Sequence, residues 1–140
     1  MAYGEGADPR NATLKDSTTV SGPGYLLTND STNNKLDLTA VSEVAIGVSA
    51  GESSRDANLD YETTGATIAY YPLGGMLMVA ATASQTWTTG ATVYIASSGL
   101  ATTSSGSSAK KLGLYVGEGE TTSSANGDLI PVMTAGAEIA

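Results

Sequence analysis

From Val41 onward, apolar residues fall in short runs and not at helical spacing. The runs Val44–Ser49, Ala66–Tyr71, Gly75–Ala81, Thr92–Ala96, Leu112–Val116 and Leu129–Thr134 are rich in Val, Ile, Thr and Tyr. Such side chains suit a pleated, half-buried surface, and small turn formers separate the runs. No window carries a convincing apolar stripe at a period of 3.6. The pattern predicts an all-β fold, a small barrel or sandwich of short strands.

Two internal echoes sharpen that expectation. Ile46-Gly47-Val48-Ser49-Ala50-Gly51-Glu52 returns as Leu112-Gly113-Leu114-Tyr115-Val116-Gly117-Glu118. Thr63-Thr64-Gly65-Ala66-Thr67-Ile68 returns as Thr88-Thr89-Gly90-Ala91-Thr92-Val93, with a looser copy at Gly127-Asp128-Leu129-Ile130. In the second echo each Gly reads as a turn residue entering a strand. In the first, Gly47 and Gly113 sit inside apolar runs, the mark of a bulge or a close backbone approach. Two copies are too few for a solenoid and suit one barrel made of two related β-elements.

Residues 1–40 differ. Gly, Pro and Asn punctuate them, large apolar side chains are few, and the apolar patches are Tyr25-Leu26-Leu27 and the alternating Leu36-Asp37-Leu38. By itself such a stretch buries too little to offset its ordering entropy. It reads as an extended N-terminal arm with one short strand at most, either a floppy terminus or a segment that orders on a partner, ahead of a β-barrel domain at 41–140. Residues 97–108 are small and polar and read as a loop. Asn126-Gly127 is a strong hairpin signal.

Composition then removes whole classes of chemistry. Ala, Gly, Ser and Thr number 20, 17, 16 and 19, just over half of 140 residues, and Cys, His and Phe are absent. Without Cys there are no disulfides, thiol nucleophiles or cysteine-ligated zinc sites. Without His the commonest general base and metal ligand are gone, and a Ser-His-Asp triad cannot form. A net charge of −8, from 14 acidic and 6 basic residues, opposes binding to a phosphate backbone. No run approaches the ~20 apolar residues of a membrane-spanning helix. The first ten residues lack the basic-then-apolar layout of a signal peptide. The expectation is a protein that binds and does not catalyse, with no cofactor, nucleic acid, membrane or small-molecule substrate.

A few residues invite a chemical reading. Asp56, Asn58, Asp60 and Glu62 place oxygen side chains at alternate positions, as a calcium loop begins. The Gly and Glu that complete an EF-hand loop are replaced by Tyr61 and Thr67, so an EF-hand is excluded. A looser cation site stays open beside the simpler reading, a solvated loop. Glu118, Glu120 and Glu52 form no recognisable hydrolase pair. Trp87, the only Trp, is expected in the core or an interface. Of Tyr70 and Tyr71, one should point inward and the other outward.

The ordered set of motifs resembles the small decoration, or cement, proteins of tailed-phage capsids. The likeness rests on Ala45-Ile46-Gly47-Val48-Ser49-Ala50-Gly51-Glu52, then Met76-Leu77-Met78-Val79, then Gly90-Ala91-Thr92-Val93-Tyr94-Ile95. Leu112-Gly113-Leu114-Tyr115-Val116 and Gly127-Asp128-Leu129-Ile130-Pro131-Val132 complete it, so it spans about residues 41–134. Ala91 departs from the acidic residue usual at its position. The resemblance implies a β-tulip-like barrel and a homotrimer on the outer face of a virion, made in the host cytoplasm. Its partner would be the major capsid protein, whose subunit contacts it would stabilise. Tyr3, Pro9, Arg10, Leu14, Tyr25 and Leu26 would then contact the capsid, and Trp87, Tyr94, Ile46 and Leu112 would fill the core or the trimer interface. The alternatives are another virion part, a tail or fibre domain, and an extracellular β-sandwich module for adhesion. A single Trp, with no clustered aromatic platform, argues against the last.

Overall fold

The structure is a computed structural model and describes residues 8–31, 34–106 and 108–138. Its strands are β1 (Arg10–Thr13), β2 (Leu26–Asp30), β3 (Lys35–Leu38), β4 (Gly47–Ser49), β5 (Thr67–Pro72) and β6 (Met76–Ala81). They continue with β7 (Gln85–Trp87), β8 (Thr92–Ile95), β9 (Ala101–Thr102), β10 (Lys111–Tyr115), β11 (Thr121–Ser123) and β12 (Asp128–Met133). The only helical element among the described residues is a single 3-10 turn at Ser97–Gly99. The fold is all-β, with a small closed barrel, as the pattern predicts.

Five strands close that barrel in the order β10-β12-β6-β9-β8. The long β12–β6 ladder pairs six residues on each strand, from Asp128↔Ala81 to Met133↔Met76. Closure falls to β9, which pairs Ala101 with Ala81 in parallel and with Ile95 in antiparallel. The expected loop at 97–108 therefore contains the strand that shuts the barrel. Its two residues are too few for any sequence pattern to register. Leu77, Val79, Val93, Ile95, Leu112, Ile130 and Val132 fill the interior with Trp87 and Tyr115.

A second, five-stranded sheet runs β1-β5-β4-β2-β3. Its two edges meet where Leu14, just past β1, bridges Leu36 of β3, and Lys15 N–H donates to Leu36 C=O at 2.8 Å. The sheet thus curls around its own core of Leu14, Val20, Leu27, Leu36, Ala66 and Ile68. Its other face packs on the barrel through Leu26, Ala45 and Val48. Burial on both faces explains the unbroken Tyr25-Leu26-Leu27 run, since alternation is expected only where one face meets water. It also corrects the expectation for Tyr70 and Tyr71. Both are half-buried, with Tyr70 against the smaller core and Tyr71 against the barrel.

The extended arm expected at 1–40 is therefore corrected over its described part. Residues 10–14, 26–30 and 35–38 are strands and core of the curled sheet. Their polar composition misled because β1 is ordered by pairing with β5, Arg10↔Tyr70 to Thr13↔Thr67, and not by its own apolar content.

The two echoes also resolve differently from one barrel built of two elements. Each sheet holds one full copy of each motif, and in each sheet the two motifs pair in antiparallel. In the curled sheet β4 pairs β5, and in the barrel β8 pairs β10. Gly65, Gly90 and Gly127 have φ of +69°, +86° and +97° as they enter β5, β8 and β12, which is why Gly recurs there. Each is followed at the third position by a buried core residue, Ile68, Val93 and Ile130. The ladder shifts register between Lys111 and Gly113, as the in-strand Gly suggests. Asn126-Gly127 does make a turn, but the strands it joins do not pair with each other. β11 pairs β7, and β12 pairs β6.

Candidate functional site

Among the described residues, no group of three or more Asp or Glu is gathered to hold a metal. In the 56–62 loop, Asp56 Oδ1 instead accepts the N–H of Asn58 at 2.8 Å and of Asp60 at 3.1 Å. That carboxylate shapes a turn. Beside it Glu52, Arg55 and Tyr61 form a clip. Arg55 donates to both Glu52 oxygens, at 3.1 and 3.2 Å, and Tyr61 O–H donates to Glu52 Oε2 at 2.9 Å. The guanidinium lies 3.8 Å from the Tyr61 ring centre. The Arg55 hydrogen bonds hold the Glu52 carboxyl below its ordinary value, with Tyr61 adding to the effect. Every polar group of the clip is spoken for, and all three side chains are solvated, so it holds a loop in shape.

The anticipated contact residues scatter. Tyr3 lies outside the described residues. Pro9 and Arg10 are exposed, at and just before the start of β1. Leu14 and Leu26 are fully buried in different cores, and Tyr25 is half-buried against the smaller one. Leu14 and Leu26 are thereby corrected: a side chain already packed inside the chain has no surface left for a partner. Trp87 and Leu112 are fully buried in the barrel core. Ile46 is corrected as a core residue. It is 38% exposed and lines a shallow apolar cleft of about 350 Å³ with Leu73, Ala135 and Ala137. Tyr94 is half-buried, on the opposite side of β8 from the core residues Val93 and Ile95.

The feature that sequence reasoning missed lies on the outside of the barrel. Along β10, β12 and β6 the inward positions are taken by Leu112, Tyr115, Ile130, Val132, Leu77 and Val79. The alternate positions face outward, and they are apolar too. Leu114 pairs with Met133, and Met133 with Met76, which makes one row across three strands. The next row runs from Val116, whose N–H donates to Pro131 C=O at 3.1 Å, through Pro131 to its partner Met78. Leu114, Met133 and Val116 are 39%, 39% and 38% exposed. Beyond this, the chain at Gly24 lies over the last row, Leu129 and Ala80. A Cβ on Gly24 would stand 2.4 Å from Leu129 Cδ2, and Gly24 C=O accepts the Ala80 N–H at 2.7 Å. Among the described residues, Leu114, Met133 and Val116 of the first two rows stay exposed, while Met76, Met78 and Pro131 are half-buried.

No charged side chain occupies an outward position on the Leu114, Met133 and Met76 strands from 114 to 116, 129 to 133 or 76 to 80. A legible signal existed: Met76–Ala81 is apolar at all six positions, so both its faces avoid water. The chemistry of this face is non-directional burial of apolar surface. No protein-family model and no curated protein matches the chain.

Proposed function

We propose that the protein is a structural binding protein of a virus shell, a decoration protein that seats on the major capsid protein and stabilises contacts between its subunits. The observation that carries this reading is the contrast between a polished scaffold and an idle chemistry. Two cores share one sheet, while the best-organised polar cluster, Glu52-Arg55-Tyr61, is consumed in holding a loop. Such a body is suited to present surface. The ordered motifs that resemble capsid decoration proteins supply the partner.

The exposed start of β1 at Pro9 and Arg10 is the part of the anticipated contact set that stays accessible. It leads into β1, an edge strand of the curled sheet. Binding to an assembled shell, and not to free subunits, stabilises the shell by mass action. Co-sedimentation of the full chain with undecorated shells of its own virus tests this. The expected result is saturable pelleting at a fixed ratio to capsid subunits, weakened by removal of residues 1–10. A chain that stays in the supernatant at all concentrations overturns it.

A further inference from the structure

We propose that Asn126 is a latent modification site. Its carboxamide can close on the Gly127 nitrogen and lose ammonia, and the folded barrel withholds both groups until the β6–β12 end opens. This rests on the 123–128 turn alone and stands independently of the shell-binding reading.

Asn126 is the only Asn in the chain that is followed by Gly. Gly has no side chain to shield its own amide nitrogen, and it leaves the backbone free to bend toward the preceding side chain. In the reaction the Gly127 amide gives its proton to base, and its nitrogen bonds to Asn126 Cγ. The C–N bond of the carboxamide breaks, and ammonia leaves. Water then opens the five-membered imide at either carbonyl. One opening gives Asp. The other gives isoaspartate, whose main chain runs through the former side-chain carbon. Water and base are the only reagents needed, and Asn126 is exposed to both.

The fold nevertheless holds the two reacting groups apart from each other. Gly127 N–H donates to Ala81 C=O at 2.9 Å, so the proton that must leave is already in a hydrogen bond. Asn126 Oδ1 accepts the Ala83 N–H at 2.8 Å, which ties the carboxamide to a different segment of chain. Two more bonds clamp the same segments. Ser84 N–H donates to Ser123 C=O at 2.6 Å, and Ser123 Oγ donates to Thr82 C=O at 2.7 Å. Asp128 Oδ2 accepts the N–H of Ser124 at 2.8 Å and of Ala125 at 3.0 Å, which fixes the chain just before Asn126. Gly127 then leads into Asp128↔Ala81, the first pair of the β12–β6 ladder. Reaction therefore runs through molecules in which 81–84 and 123–127 have come apart, an opening of one ladder end that costs less than global unfolding.

The event is one-way. Asp at 126 keeps an oxygen for the Ala83 N–H. Isoaspartate adds a carbon to the main chain and carries the Gly127 N–H out of register with Ala81 C=O. Either product adds a negative charge to a chain already at −8. An opening of this end is thus recorded covalently, and the isoaspartyl chain cannot close as before.

The test incubates the full chain at mildly alkaline pH, in buffer and in guanidinium chloride beyond its unfolding transition, and follows residue 126 by peptide mapping. Modification in buffer should be slower by about tenfold or more, since it waits on local opening. Hydrogen exchange at the Gly127 N–H measures that opening directly, and the slowing should be at least as large as the protection found there. Asp128→Ala, with a thermal melt to show that it is folded, should lower the protection and speed modification in buffer by a similar factor. Its rate in guanidinium chloride should match that of the unaltered chain. The isolated isoaspartyl form should melt below the unmodified protein. Equal rates in buffer and in guanidinium chloride overturn the proposal, as does slowed modification with an unprotected Gly127 N–H. Faster exchange in Asp128→Ala without faster modification overturns it too.

Discussion

Trp87 Nε1 donates a hydrogen bond to Ser123 Oγ at 3.0 Å, and Ser123 Oγ donates in turn to Thr82 C=O at 2.7 Å. The chain of bonds ties the small β7–β11 sheet to the end of β6. It also lets a fully buried indole satisfy its N–H while its ring packs 6.2 Å from that of Tyr115. Ser123→Ala is expected to cost about 1–3 kcal/mol, because the indole N–H is left buried without a partner. Trp87→Ala is expected to cost about 3–5 kcal/mol from the cavity it opens. Urea denaturation followed by circular dichroism measures both.

Gly113 supplies a second prediction. A Cβ there would stand 1.9 Å from Met133 C=O, backbone that cannot swing aside. Gly113→Ala should therefore cost about 3 kcal/mol or leave the barrel unfolded, by overpacking at a backbone contact. Gly51→Ala is the control, since no atom lies within 4 Å of its added carbon. Its effect should stay within about 0.5 kcal/mol.

Acid stability has a local source at Asp128. The N–H of Ala125, then that of Ser124, hydrogen-bond its carboxylate and hold it below the ordinary carboxyl value. A group whose folded value is depressed contributes stability that is fully present above its unfolded value and is lost as pH falls through the folded one. The denaturation midpoint should therefore drop between neutral pH and about pH 3. Asp128→Asn should show a smaller drop. An equal drop in both proteins would place the acid sensitivity elsewhere.

Truncation separates a free arm from a woven one. Removing residues 1–20 takes away β1 and the buried Leu14 and Val20, so that variant should lose cooperative unfolding. Removing residues 1–7 deletes no member of either described core and should leave the melt within a few degrees. A stable product from the larger deletion would contradict the curled sheet.

The strands that were legible in the sequence, β4, β5, β6, β8, β10 and β12, all carry branched or aromatic residues and bury one face or both. Those that were not carry little of either. Arg10-Asn11-Ala12-Thr13 has no strand pattern and is a strand because β5 offers it a ladder. Leu14 has polar neighbours and Leu26 sits in one short apolar run, both within a stretch that reads as an arm, so they looked like contacts awaiting a partner. Their partners are in this chain but far along it: Leu14 N–H donates to Ala66 C=O, and Leu26 pairs Val48. The outward rows were written in Met76-Leu77-Met78, where the failure to alternate marks a second apolar face. Which residues of other strands complete that face is a matter of register, and no local pattern fixes register between strands so far apart.

Under the proposed function this scaffold binds and strengthens a virus shell. The most direct measurement of that proposal is the disruption temperature of undecorated shells of the virus it assigns the protein to, by calorimetry, with and without a saturating excess of the protein. The account predicts an upward shift that grows with protein concentration, as ligand binding to the assembled state requires. An unchanged disruption temperature at every concentration would contradict it.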